Sequence, residues 1–125
     1  MTGRDPDDFD RLLGAVEELR EVLVVNREYN RTTGGRLIVA SVEVWLEMLV
    51  VRFTEVGATG ALAVPGIRDD FSTRYHFAGG ASTGTGHIRV NSVVFRPSLD
   101  KRATRLWLRP DEQQQIEIPL PPRPA

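Results

Sequence analysis

Between residues 22 and 120, apolar residues recur at every second position in one short segment after another, and no stretch there keeps helical spacing. A period of two marks a strand with one buried face. Neighbouring strands joined only by short turns cannot be parallel, because a parallel pair needs a long crossover, usually a helix. The segments are Val22 to Val25; 36–46, with Ile38, Ala40, Val42, Val44 and Leu46 on one parity; and 48–56, with Leu49, Val51 and Phe53 inside. They continue with 71–77, where Phe71, Thr73, Tyr75 and Phe77 alternate; 87–96; 105–109, with Leu106 and Leu108; and 115–120, with Ile116, Ile118 and Leu120. In 87–96, Ile88 and Val90 differ in parity from Val93 and Phe95, so a bulge at Asn91-Ser92 is expected to bring all four inside. Gly57 to Gly66 and Gly79 to Gly86 read as loops. The pattern predicts a mainly β fold, an antiparallel β-sandwich of about seven strands, with a closed barrel as the alternative.

One helix is expected ahead of the strands. Asp5 can cap it, Pro6 suits its first position, and Asp7 and Asp8 favour its positive end. Phe9, Leu12, Leu13, Val16 and Leu19 then follow at helical spacing. The expected organisation is a short terminus over 1–5, an amphipathic helix over 6–21, a sandwich over 22–120 and a proline-rich, unpaired tail over 121–125. A length of 125 residues suits one domain. Sixteen basic and 17 acidic residues, net charge -1, argue against a nucleic-acid binder, which normally carries a basic surplus. With no cysteine, disulfide scaffolds, cysteine-ligated metals and cysteine nucleophiles are excluded. The acidic start lacks the pattern of a secretory signal, and no apolar run approaches the ~20 residues of a membrane helix, so a cytoplasmic protein is expected.

An ordered series runs through the second half: Asp69-Asp70-Phe71-Ser72-Thr73-Arg74-Tyr75, a glycine-rich segment, Val94-Phe95-Arg96-Pro97, and Ala103-Thr104-Arg105-Leu106-Trp107-Leu108. It resembles a group of uncharacterised actinobacterial domains with an immunoglobulin-like or telokin-like sandwich. Their pattern is roughly Asp-Asp-Leu-Gly-Thr-x-Tyr, a glycine-rich segment, Phe-x-Pro and Ala-x-x-Leu-x-Leu. The resemblance spans about residues 22–120. The chain departs from it at Ser72, where the group prefers glycine, and lacks an Asp-Gly turn near Glu47. The resemblance implies a sandwich and supplies no reaction.

Candidate chemistry is sparse. Asp69 and Asp70, with Asp100, offer oxygens to calcium, but two adjacent carboxylates are more often turn caps. His76 and His87 flank the glycine-rich segment and would meet if a hairpin brought them together; two exposed histidines on an outer face is the simpler reading. No serine lies in a Gly-x-Ser-x-Gly elbow, and the glycine run lacks the ending of a phosphate loop, so no catalytic residue and no cofactor is assigned. Trp45 and Trp107 fall on the polar parity of their strands and, with Tyr29, suggest an exposed aromatic strip. The expected function is a non-enzymatic interaction or structural module. Its contacts would come from the helix face of Phe9, Leu12, Val16 and Leu19 or from the aromatics, meeting a protein partner or a second copy. The alternative is a small ligand or carbohydrate bound by loops at one end of the sandwich, where Asp69, Asp70 and the Gly79 to Gly86 loop would converge, with or without calcium.

Overall fold

The computed structural model describes residues 19–32, 34–57 and 65–123. Eight strands build two antiparallel sheets. β1 (Leu19–Asn30), β2 (Arg36–Trp45) and β3 (Leu49–Val56) form a meander. β4 (Gly66–Asp69) crosses to the second sheet, and β5 (His76–Thr85) returns to the first with β6 (Ile88–Arg96) as a hairpin. β7 (Arg105–Asp111) and β8 (Gln114–Pro119) complete the second sheet. The orders are β1-β2-β3-β6-β5 and β4-β7-β8. Leu37, Leu49 and Phe95 of the larger sheet and Leu106, Leu108 and Ile118 of the smaller one belong to a single buried cluster, so the sheets face each other across one core.

The alternation is in place where side chains declare it. Leu49, Val51 and Phe53 point inward from β3, Leu106 and Leu108 from β7, and Ile116 and Ile118 from β8. The turn after Trp45 falls at residues 46–48, closed by the Trp45 amide donating to the Met48 carbonyl at 2.9 Å. Bulges shift the rest. In β2 the register slips between Val39 and Ser41, so Leu37 and Val39 are inside before it and Val42 and Val44 after it. Ile38 and Ala40 therefore face outward, against the single parity expected for 36–46. β6 corrects the opposite expectation: its register with β3 is unbroken from Ile88 to Phe95, no bulge intervenes at Asn91-Ser92, and Ile88 and Val90 stay outside.

Three assignments change. Leu19 opens β1 opposite Trp45, so it is a strand residue and not part of a contact helix, and residues 19–21 leave the expected helix. The separation of Leu19 from Leu23 satisfies both a helical and a strand period, and pairing with β2 decides for the strand. The remainder of that helix, with Phe9, Leu12 and Val16, lies outside the described residues. The expected strand over 71–77 is mostly a turn, with Ser72 at φ 60°, and pairing begins only at His76. The glycine-rich segment expected as a loop is β5 itself. A Cβ at Gly80 would lie 2.6 Å from the Ser92 carbonyl, and one at Gly84 would collide with the Ile88 carbonyl. Glycine here permits close backbone approach rather than mobility.

Candidate functional site

Asp69 closes β4 and is buried. Its Oδ1 accepts the amides of Phe71 (2.8 Å) and Thr73 (3.1 Å), and its Oδ2 accepts the Tyr75 hydroxyl (2.8 Å). The same hydroxyl accepts the Asp100 amide at 3.2 Å. Burial works to raise the Asp69 pKa, but the bonds from Thr73, Phe71 and Tyr75 outweigh it and hold the carboxyl below its ordinary range. Burial, with Asp69 beside it, pushes the Tyr75 phenol up to about 12. Asp70 accepts the Thr104 hydroxyl (2.6 Å) and amide, bonds that lower its pKa. Asp100 is lowered to about 2, chiefly by the Arg102 side chain. These carboxylates are the capping atoms of one corner, where β4 ends and the segment after β6 passes. Among the described residues, no group of three or more His, Asp or Glu side chains is arranged to hold a metal ion.

The opposite end of the sandwich is tied by a buried carboxylate. Glu55 of β3 accepts Arg31 (3.0 Å) and Arg89 (3.2 Å) on one oxygen and the Asn91 amide (3.1 Å) on the other. Arg31 continues to Asp111 at 2.6 Å, reaching from the β1–β2 loop to the β7–β8 turn. The Tyr29 hydroxyl donates to the Glu117 carbonyl at 2.9 Å, joining β1 to β8 along one side. Sequence reasoning missed Arg31, Glu55 and Asn91, because single polar residues in a strand pattern give no sign that distant elements converge on them. It also missed Arg123. Its Nη2 donates to the carbonyls of Asp100 (3.0 Å), Lys101 (2.7 Å) and Ala103 (2.5 Å), so the tail expected to be unpaired is anchored at the corner.

The aromatics and histidines do not gather. Trp107 lies on the outer face of the smaller sheet beneath the Arg68 guanidinium, 4.6 Å from its ring centroid. Trp45 lies on the outer face of the larger sheet, its Nε1 donating to Glu43 at 3.2 Å. Tyr29 points into the core, so no aromatic strip forms. β5 and β6 do pair as the hairpin that would have joined the histidines, but His76 is opposite Arg96 and His87 lies in the turn. Nine or so strand residues at ~3.3 Å each keep them ~30 Å apart.

What remains is the outer face of the five-stranded sheet. Alternation places Val22 and Val24 of β1 and Ile88 and Val90 of β6 on it, with exposures of 50%, 60%, 53% and 49%. Ile38 and Thr54 lie between the two pairs. The polar residues at its centre are satisfied among themselves: Arg52 donates to Glu43 at 2.5 Å and to Ser92 at 2.6 Å. The face is a diagonal apolar band crossing four strands, with its charge already neutralised. A shallow depression of about 220 Å³, lined by Ser82, Thr83, His87 and Arg89 among others, lies beside its far end at the β5–β6 turn. No family model, curated protein or solved structure matches the chain.

Proposed function

We propose that this chain is a non-enzymatic protein-interaction module that receives an amphipathic helix on the outer face of its five-stranded sheet. The observation that carries the reading is the diagonal band from Val22 and Val24 to Ile88 and Val90. Four branched aliphatic side chains at about half exposure on one sheet face are the surface a partner's apolar stripe covers. The carboxylates that would mark a catalytic or metal site are instead occupied in capping and in cross-sheet ties. Two facing antiparallel sheets whose chain changes sheet at β4 and β5 support an immunoglobulin-like frame. The motif series around Asp69, Phe95 and Leu106 supports membership of the actinobacterial group, and the cysteine-free composition supports a cytoplasmic setting. A second reading, small-ligand binding, has the depression at the β5–β6 turn in its favour. Asp69 and Asp70 belong to the corner beyond the other end of β6 and contribute nothing to that depression.

The test is affinity capture from the native source with the wild-type chain and a Val24→Glu/Val90→Glu variant, followed by titration with each purified candidate. A partner held by the wild type and weakened tenfold or more by the variant supports the reading. Identical partner sets, bound equally well, remove it.

A further inference from the structure

We infer that the free edge of β5 is a second contact surface, which takes up an extended acidic peptide as an added strand. It uses the backbone along one side of the five-stranded sheet and does not depend on the helix-binding face.

The four sheet edges are not alike. An edge strand exposes unpaired amides and carbonyls, and chains guard such strands by shortness, charge, proline or bulges. β4 has four residues, two of them charged. β8 has six and ends at Pro119, and the Tyr29 hydroxyl already bonds its Glu117 carbonyl. β1 carries Arg20, Glu21, Arg27 and Glu28 and breaks register twice. β5 runs ten residues with no Asp, Glu, Lys, Arg or Pro. Its one irregularity lies between Phe77 and Gly79, and residues 79–85 then pair with β6 in unbroken register. Seven residues at ~3.3 Å make a regular edge of roughly 23 Å. Among the described residues, no strand pairs with its outer side.

Both faces of that edge are open as well. Phe77 and Ser82 share the inner parity of the buried Phe95 and Asn91, yet both are exposed. Ala81 and Thr83, on the outer parity, are exposed too. β5 therefore overhangs the smaller sheet, and its small side chains leave an added strand room on either face. Phe77, 43% exposed and edge-on to Phe95 at 6.2 Å, offers an apolar contact on the inner one. In strand addition the main chain supplies affinity and the side chains supply choice.

Charge selects the occupant. Residues 71–99 contain three arginines, two histidines and no acidic residue. Arg89 is bound to Glu55. Arg74 and Arg96 are exposed and make no ion pair among the described residues, and Arg96 stands opposite His76 at the start of β5. A second copy pairing along β5 would bring the same acid-free hairpin, and so no carboxylate, to this edge. A peptide with acidic ends meets the opposite sign there. A glycine-rich strand specifies register weakly, so the arginines also fix where the peptide sits.

The test titrates three blocked peptides into the isotope-labelled full chain, to about 1 mM, with amide shifts read by NMR. The first is Glu-Glu-Thr-Val-Thr-Val-Thr-Glu-Glu, whose symmetric ends meet the arginines in either direction of pairing. The second has lysine for every glutamate. The third is the acidic peptide N-methylated through its central residues, which keeps the charge and removes the strand's donors. The expected result is that the acidic peptide shifts the amides of residues 79–85 and binds at least tenfold more tightly than the other two. Arg74→Glu/Arg96→Glu should reverse the preference between acidic and basic ends, and Val24→Glu on the helix-binding face should change nothing. Absence of shifts along β5 overturns the inference. So does equal binding of the N-methylated peptide, which would reduce the contact to charge alone. A dimer by light scattering that Thr83→Pro dissociates overturns it as well, because a second copy then holds the edge.

Discussion

At the scale of single residues, the molecule is held by a few polar groups that each gather several partners, some close in sequence and some far away. Asp69 gathers two amides and a phenol, Glu55 gathers two arginines and an amide, and Arg123 gathers three carbonyls. Ser72 is the residue held against its own preference, at φ 60° and exposed. The left-handed region costs an L-residue about 1–2 kcal/mol, part of which glycine returns as greater freedom when unfolded. Ser72→Gly is therefore expected to stabilise the protein by about 0.5–1 kcal/mol in urea unfolding, and an unchanged or lower midpoint would contradict this strain. The pairing of Asp69 with local amides was legible in the sequence, because aspartate before a strand break caps turns, whereas Asp70 reaches across the corner to Thr104. The knot around Glu55 was not: a lone glutamate in an alternating strand reads as solvent-facing or misplaced until Arg31 and Asn91 are folded against it.

Among the elements, strands with branched and aromatic side chains announced themselves, and those that rely on backbone alone did not. β3, β7 and β8 were read with their inward faces correct, because large side chains mark the parity. β5 was read as a loop because alanine, serine and glycine carry no alternation, although Gly80 and Gly84 are required by the closeness of β6. The short β4 was hidden for the same reason, with one glycine and two charged residues among its four. Bulges defeated parity counting in β2, where Leu37 and Val39 replaced Ile38 and Ala40 inside. If β5 is a close-packed strand, Gly84→Ala must push backbone against the Ile88 carbonyl. Its expected cost is about 1–3 kcal/mol in urea unfolding, whereas a true loop would absorb the methyl group with no measurable change.

For the whole molecule, the titrating groups set a pH window. Asp69, Asp70, Asp100 and Asp111 all sit below the ordinary carboxylate range, Asp100 at about 2. A carboxylate lowered by folding stabilises above its unfolded pKa of about 4 and loses that contribution as pH falls through the folded value. Tyr75 is raised to about 12, so its neutral phenol stabilises below about 10 and the contribution fades as pH rises toward 12. Urea midpoints should therefore drop between about pH 4 and pH 2 and again above about pH 10. A flat acid limb would show that the corner at Asp69 and Asp100 does not form as described. The two faces of the sandwich differ as sharply as its two ends. One carries Trp107 under an arginine, and the other carries a diagonal of exposed valines and isoleucine leading away from the point where residue 19 enters.

The most direct measurement is hydroxyl-radical footprinting of the full chain, read by mass spectrometry at single residues. Val22, Val24, Ile88 and Val90 are compared with Leu46, an aliphatic residue of similar exposure (48%) in the β2–β3 turn. If the outer face is a contact surface, the four label several-fold more slowly with a captured partner bound than without it, while Leu46 is unchanged. Val24→Glu/Val90→Glu should remove that protection. If they label equally fast with and without the partner, the face is open surface and the account of its contact site is wrong.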